Sequence, residues 1–471
     1  MQTHRLLLSV AITGVLVTGF TGLGPAAGGG TFVNWPQYLY SAKHTSDNVV
    51  ATAITPANAS SLRLVWKFAP PASPATGLSG FYSSPTTYDG VIYIGGRNGY
   101  FYAINEATGA VIWRRFIGYV TKTTCFAEGF TSTATVSRDP ATGKPTVYVY
   151  GPTGYLYAMN TADGTDVWPP APVAIPSTTV NDYYAWGSPL VFGGNVYVGV
   201  SSECDVPLVR GGLKEFSQST GTLEHTFWTT PAGTRGATIW SSPATNGRAV
   251  FITTGNGSRA SVGFSIIRLT PSLSQRDIWT VPPKDRVPDS DFGASPGLWA
   301  ADIQGTATPM VGACNKNGDF YALKTPNLSA GPVWVTPIGD PYGSGHGQCD
   351  AAPLFDGTNL YLASNGTTIN GTHYDGSVRE VNPATGAIVW QTGLTGALFG
   401  TPGMDGAGVI AAASFGSSTG KNGLFLINAA NGHLLATISY GKAPTFGQPV
   451  FADNYIIVAS AGLGLQAYAA G

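Results

Sequence analysis

Residues 82–113 read YSSPTTYDGVIYIGGRNGYFYAINEATGAVIW, a stretch written almost entirely in strands and turns. It opens with Ser84-Pro85, and Asp89-Gly90 supplies a two-residue hairpin turn, since both residue types tolerate the positive φ that such turns require. The alternating segment VIYIG follows, then a glycine turn at Arg97-Asn98-Gly99 and a second strand, YFYAIN. Thr108-Gly109 makes another turn, and a last strand ends on Trp113. One four-stranded sheet of this kind cannot bury both faces alone, so neighbours built the same way are expected.

They are present. The closing tryptophan recurs at Trp113, Trp168, Trp228, Trp279, Trp334 and Trp390, at intervals of about 50 to 60 residues. The opening step recurs as Ser84-Pro85, Ser188-Pro189, Ser242-Pro243, Ser295-Pro296, Ala352-Pro353, Thr401-Pro402 and Gln448-Pro449, with Thr133-Ala134 in the remaining slot. Between them runs a repeated phrase, in forms such as GYFYAIN, GYLYAMN, GDFYALK and GLFLIN. The eighth copy, from Phe446, reaches Gly471 before any closing strand, while Leu62-Arg-Leu-Val-Trp66 is an outer strand without a blade. The expected fold is therefore all-β: an eight-bladed propeller of four-stranded antiparallel blades, its last blade completed by the N-terminal strand so that no sheet edge is left open.

Composition agrees. The chain has 471 residues, of which 63 are Gly and 33 Pro, with 11% aromatics, as expected of a fold built on turns. Charged residues are only 10%, against roughly a quarter in ordinary soluble domains, which is a composition commoner outside the cytoplasm. The net charge of -1 and the lack of any basic run argue against nucleic acid or an anionic membrane as partner. His4-Arg5, the apolar run Leu6 to Phe20 and Pro25-Ala26-Ala27 have the layout of a secretory signal. Residues 1–27 are thus expected to be removed, leaving 28–471 as a single propeller domain with no membrane span, secreted or periplasmic. The longest loops between repeats are expected at Pro169 to Ala185 and Val281 to Asp291. The placement of the four cysteines favours the pairings Cys314-Cys349 and Cys125-Cys204. No C-x-x-C-H haem motif occurs, and His44, His225, His346, His373 and His433 show no metal or nucleophile spacing.

The repeat Gly-x-Tyr-Ala-Leu/Ile-Asn, Thr-Gly, Trp closely resembles that of the pyrroloquinoline quinone (PQQ) propeller superfamily. The lead NWPQYLYSAKHTSDN is similar to the start of its quinoprotein alcohol and polyvinyl-alcohol dehydrogenases. The resemblance spans nearly the whole mature chain and implies candidate site residues one by one. Glu203, shortly before Val209-Arg210-Gly211, takes the place of a calcium-binding carboxylate, with Asp205 a nearby alternative. Asn256 in Thr254-Gly255-Asn256 matches a second calcium ligand. Trp240 stands near the tryptophan on which the quinone stacks, and Asp289 and Asp291 are candidates for the catalytic base. Lys316, in Asn315-Lys316-Asn317-Gly318, matches the cation beside the quinone carbonyls. The family's dehydrogenases carry two adjacent cysteines over the cofactor. Here Cys125 stands alone, and a bridge to Cys204 would replace that roof.

The chemistry suits these residue types. Calcium takes several oxygen ligands and acts on a quinone as a Lewis acid. A carboxylate accepts the alcohol proton as hydride leaves for the cofactor. The implied activity is PQQ- and calcium-dependent oxidation of a small or polymeric alcohol, with electrons passed to an external acceptor. Each residue also has a structural reading: Trp240 as inter-blade core, Asn256 as a left-handed turn residue, Lys316 as a solvated hairpin residue, Asp289 and Asp291 as loop caps, and Glu203 as a partner of Arg210. Those readings together describe a cofactor-free propeller serving as a protein- or glycan-binding scaffold.

Overall fold

A computed structural model of the protein describes residues 31–121, 128–177, 182–257, 261–343 and 348–471. Eight antiparallel meanders of four strands follow one another in it, each forming one blade. Blade one comprises Thr86–Tyr88, Val91–Gly95, Tyr100–Asn105 and Val111–Phe116. Its first turn has Tyr88 paired with Val91 and positive φ at both Asp89 (50°) and Gly90 (75°), which is why an Asp-Gly pair is found there. In the last blade, Val450–Ala452, Tyr455–Ser460 and Gly464–Ala470 are completed by Leu62–Phe68, with Leu62 opposite Ala470 and Phe68 opposite Leu465.

Closing tryptophans lock most of the blades onto the next. Trp113 Nε1 donates to Thr161 O at 2.9 Å, and Trp168 and Trp390 make the same bond to Gln218 O and Ala429 O. A Cβ on the glycine of the next blade's Asp-Gly or Asn-Gly turn would lie under 3 Å from the indole, as at Gly164 over Trp113 and Gly432 over Trp390. Trp66 behaves identically, donating to Glu106 O at 2.8 Å beneath Gly109, so the N-terminal strand supplies the lock of the eighth blade. Trp228 departs from the pattern. It is 39% exposed and carries Arg210 over its ring instead.

Around the axis, the hydroxyls of the opening steps form a hydrogen-bonded ring. Ser84 N donates to Thr133 Oγ1, Thr133 N to Ser188 Oγ, Ser188 N to Ser242 Oγ and Ser242 N to Ser295 Oγ. Gln448 N closes the circle onto Ser84 Oγ. Blade six offers only Ala352 at this level, and there the hydroxyl of Tyr38 bonds both flanking members, Ser295 and Thr401. Blade eight offers Gln448, whose amide holds Leu39 N and Ser46 Oγ.

Tyr38 and Leu39 belong to an N-terminal arm that circles one end of the axis. Its carbonyls accept from the first strand of six blades, or, in the last blade, from the turn that follows it: Val33 from Asp453, Trp35 from Thr87, Pro36 from Val136, Ala42 from Thr245, Lys43 from Leu298, Thr45 from Phe355 and Ser46 from Met404. The inner strands are edges, and the arm pairs donors they would otherwise leave unsatisfied.

The Cys314–Cys349 disulfide is formed, with Cα atoms 5.5 Å apart. Cys125, His346 and the expected signal segment lie outside the described residues. The loop expected from Pro169 begins later, because the outer strand runs through Asp166–Pro172. Prolines are tolerated on an edge strand, whose outward side needs no N–H. No helix of the described residues is long and apolar enough to cross a membrane.

Candidate functional site

At the end of the axis away from the arm, blades three, four and five bring their connecting segments together. Glu203 and Asp205 follow the strand Asn195–Val200, and Asn256 follows Val250–Thr253. Asp289 and Asp291 lie in the connection from Gln275–Thr280 to Gly297–Ile303, and Lys316 lies in the turn after Thr306–Cys314. Trp240 stands two residues ahead of Ser242 in the hydroxyl ring. All seven line one cavity of about 390 Å³, together with Trp186 and Tyr342. Trp240 also lines a smaller chamber of about 60 Å³ on the axis below, so its indole borders both spaces.

The polar contacts are dense. Lys316 Nζ lies 2.7 Å from Asp291 Oδ1 and 3.1 Å from Asp289 Oδ2, and 4.9 Å above the Trp240 ring. Trp240 Nε1 donates to Asp291 Oδ2 at 3.0 Å. Asn256 Nδ2 donates to Asp205 Oδ2 at 3.0 Å and also to Asp289 Oδ1. Carboxylate oxygens of Asp205, Asp289 and Asp291 lie within 4.8 Å of one another, close enough to share one metal ion. Asp205 and Asp289 both have positive φ, 59° and 56°, a conformation that aspartate adopts more readily than most residues. Trp186 Nε1 donates to Glu203 O at 2.9 Å and meets Trp240 edge to face.

Burial sets the charge states. It pushes the Asp291 carboxyl up to about 7, even against the attraction of Lys316, and the neighbouring Asp289 adds to the rise. Burial works against the Lys316 charge, but Asp291, Asp350 and Asp289 together outweigh it and hold the ammonium above its ordinary range. Arg210 does not take the role of partner to Glu203 that the sequence allowed. Its guanidinium donates to Thr230 O and stacks on Trp228.

One participant carries no motif. Asp350 stands two residues ahead of Ala352, the slot that Trp240 fills in blade four, and a Cβ on Gly293 would lie 2.0 Å from its Oδ1 and 2.4 Å from the Trp240 ring. Burial raises Asp350 to about 6 against the pull of Lys316. The position ahead of each small-Pro step is a periodic signal that could have identified it. Across the same end, Arg97 and Glu128 pair at 2.9 Å beside a second cavity of about 350 Å³ lined by Tyr82, Trp186, Phe415 and Phe446. His225 was without metal spacing in the sequence, yet pairing across two strands places it with Glu215 and Glu224, its Nδ1 2.9 Å from Glu215 Oε2.

Among solved structures, the chain is similar to quinohemoprotein alcohol dehydrogenase from Comamonas testosteroni, with a TM-score of 0.72 and 17% identity over 93% of this chain and 80% of that one. It is similar to a europium-containing methanol dehydrogenase (TM-score 0.73, 16% identity, 93% and 98% covered) and to BamB from Moraxella catarrhalis (0.53, 15%, 87% and 97%). At such identities the likeness concerns the fold. No curated protein matches the chain. A family model described as Outer membrane protein assembly factor BamB, of the PQQ-repeat type, matches residues 46–266 and 374–471. With about two thirds of its length so matched and its eight blades each carrying the repeat, the chain belongs to this PQQ-like propeller family.

Proposed function

We propose that the protein is an exported PQQ- and calcium-dependent dehydrogenase that oxidises an alcohol, small or polymeric. The observation that carries this reading is the convergence of Glu203, Trp240, Asn256, Asp289, Asp291 and Lys316 on one cavity above an indole face. A solvated hairpin lysine or a loop-capping aspartate has no reason to meet the others there.

The residues suit both groups. Asp205 and Asp289, with Glu203 and an Asn256 amide turned to present its oxygen, would form a hard oxygen set of the kind calcium takes. The Trp240 face borders open volume and offers a stacking surface. Bound there, PQQ would accept hydride and the metal would polarise its quinone carbonyl. Asp291, raised to about 7, is matched to removing a hydroxyl proton near neutral pH. Trp240 Nε1 and Lys316 orient that carboxylate from two sides, and Lys316 keeps a permanent positive charge at the cavity wall. Asp205 and Asp289 face the same point as metal ligands. Electrons would leave to a separate acceptor, since the chain has no haem motif. The reading includes removal of residues 1–27, a propeller domain over 28–471 and a secreted or periplasmic location.

The test is calorimetric titration of the mature protein with PQQ in calcium buffer, repeated with a trivalent lanthanide because one structural neighbour contains europium. Saturable, metal-dependent binding that Glu203→Ala and Asp205→Ala weaken would support the reading, followed by a dye-linked screen of alcohols that Asp291→Asn abolishes. A second reading has its own observation: the charges in the cavity already pair among themselves, Lys316 with two aspartates and Asn256 with two. Absence of heat with either metal would leave that cofactor-free scaffold, binding protein or glycan.

A further inference from the structure

The face that carries the arm holds a cavity of about 630 Å³, larger than either cavity at the opposite end. It lies between the arm and the lower turns of blades four to six, and it takes no part in the proposed redox site. Asp47 is at its base. This residue is only 5% exposed, and its Oδ1 has no hydrogen-bond partner among the described residues. The backbone explains why it is there: Asp47–Asn48 pairs in parallel with Met404 and Asp405, which turns the Asn48 amide inward onto Phe451 O and leaves the Asp47 carboxylate facing the cavity. A carboxylate buried without a partner is costly, so the position calls for a cation.

Neighbouring charge sharpens the case. Burial raises the Asp47 carboxyl to about 7, and the neighbouring Asp356 and Asp405 add to the rise. Asp356 is already satisfied by its own turn, accepting from Thr358 N and Asn359 N. Groups of three or more metal-capable side chains within 4.8 Å of one another lie elsewhere among the described residues, at the opposite end and at Glu215. The Asp47 region is thus too open for a bare metal ion and better suited to an ammonium with several separate hydrogens. The walls include Val49 and Phe355, apolar surface for a short alkyl chain, while the exposed Lys43 and Arg248 stand at the rim.

We propose that this cavity binds a short-chain zwitterion, its ammonium on Asp47 and its carboxylate at Lys43 and Arg248. The acidic base and basic rim would repel a simple anion and a simple cation respectively, and only a molecule with both ends satisfies both.

The probe is ε-aminocaproate, titrated calorimetrically into the full mature protein, with hexylamine and caproate as half-ligands. The expected result is saturable one-to-one binding of ε-aminocaproate, weaker binding of hexylamine and none of caproate. Asp47→Asn should weaken ε-aminocaproate by about tenfold or more, the scale of one charge-assisted hydrogen bond. The double surface variant Lys43→Glu with Arg248→Glu should weaken ε-aminocaproate and leave hexylamine at least as tight, and it does not depend on the buried site tolerating a substitution. No saturable heat from ε-aminocaproate, or affinity unchanged in either variant, would overturn the proposal. Neither result bears on PQQ binding at the other end.

Discussion

The Lys316 ammonium sits 2.7 Å from Asp291 Oδ1, and the pair is buried at the foot of the cavity with Trp240 bonded to the carboxylate's other oxygen. Because both ends are withdrawn from water, each needs the other more than an exposed pair would. Lys316→Gln should therefore cost about 3 kcal/mol of stability at pH above 7, the order found when one member of a buried pair is removed. Adding Asp291→Asn should recover most of the loss, since no charge is then left stranded. Urea unfolding of the single and double variants measures the coupling, and additive losses would mean the two residues act independently.

The tryptophan locks make a second, contrasting prediction. Trp66→Ala removes a side chain only 9% exposed, together with its bond to Glu106 O, and should cost about 3–5 kcal/mol. Trp228→Ala, at a position 39% exposed, should cost under about 1 kcal/mol. If both substitutions cost the same, the N-terminal strand is not locking the last blade to the first.

Tyr38→Phe deletes the hydroxyl that stands in for the missing ring member at blade six. The expected loss is about 1 kcal/mol, the net value of a buried hydrogen bond, with a larger loss if Ser295 and Thr401 are left unsatisfied. Ala352→Ser in the same background should restore part of it. Denaturant midpoints of the three proteins settle the matter, and a neutral Tyr38→Phe would remove the residue from the ring.

Stability should fall as pH rises from about 6.5 to 8. Burial raises Glu106 to about 8 and Asp405, Asp47 and Glu128 to about 7, so the folded chain holds these protons more tightly than the unfolded one. Stability from such groups is full below their unfolded values and is lost as pH climbs through the folded ones. His44 acts oppositely, since burial lowers it to about 4, but its window ends at its ordinary value of 6.5. Melting temperatures across this range test the sign, and Glu106→Gln should flatten the slope. A midpoint that rises with pH would show these carboxyls to be ionised in the fold.

Much of the site was legible residue by residue. Glu203, Asn256, Trp240, Asp289, Asp291 and Lys316 each lie next to a strand whose place in the repeat is plain, so their blade and their end of the axis could be counted from the turns. Asp350 was harder, because nothing beside it in the chain marks it: Ala352 breaks the hydroxyl pattern that would have flagged its slot. Asp205 was named only as an alternative to Glu203, yet its carboxylate, rather than that of Glu203, joins Asp289 and Asp291 in the cluster. A choice between residues two apart in a loop depends on local φ, which no spacing reveals.

The eight blades, their turns and the closure through Leu62–Phe68 can be read along the chain. Those features rest on contacts between residues a few positions apart, or on one strand that visibly lacks its sheet, and such contacts leave a period in the chain. It takes the closed ring to set Tyr38 between Ser295 and Thr401, Asp350 beside Trp240 and Lys316, and Asp47 in a buried position facing a cavity. These groups are brought together across the axis from segments up to hundreds of residues apart. Ring closure sets their distances, and it leaves no local pattern to read.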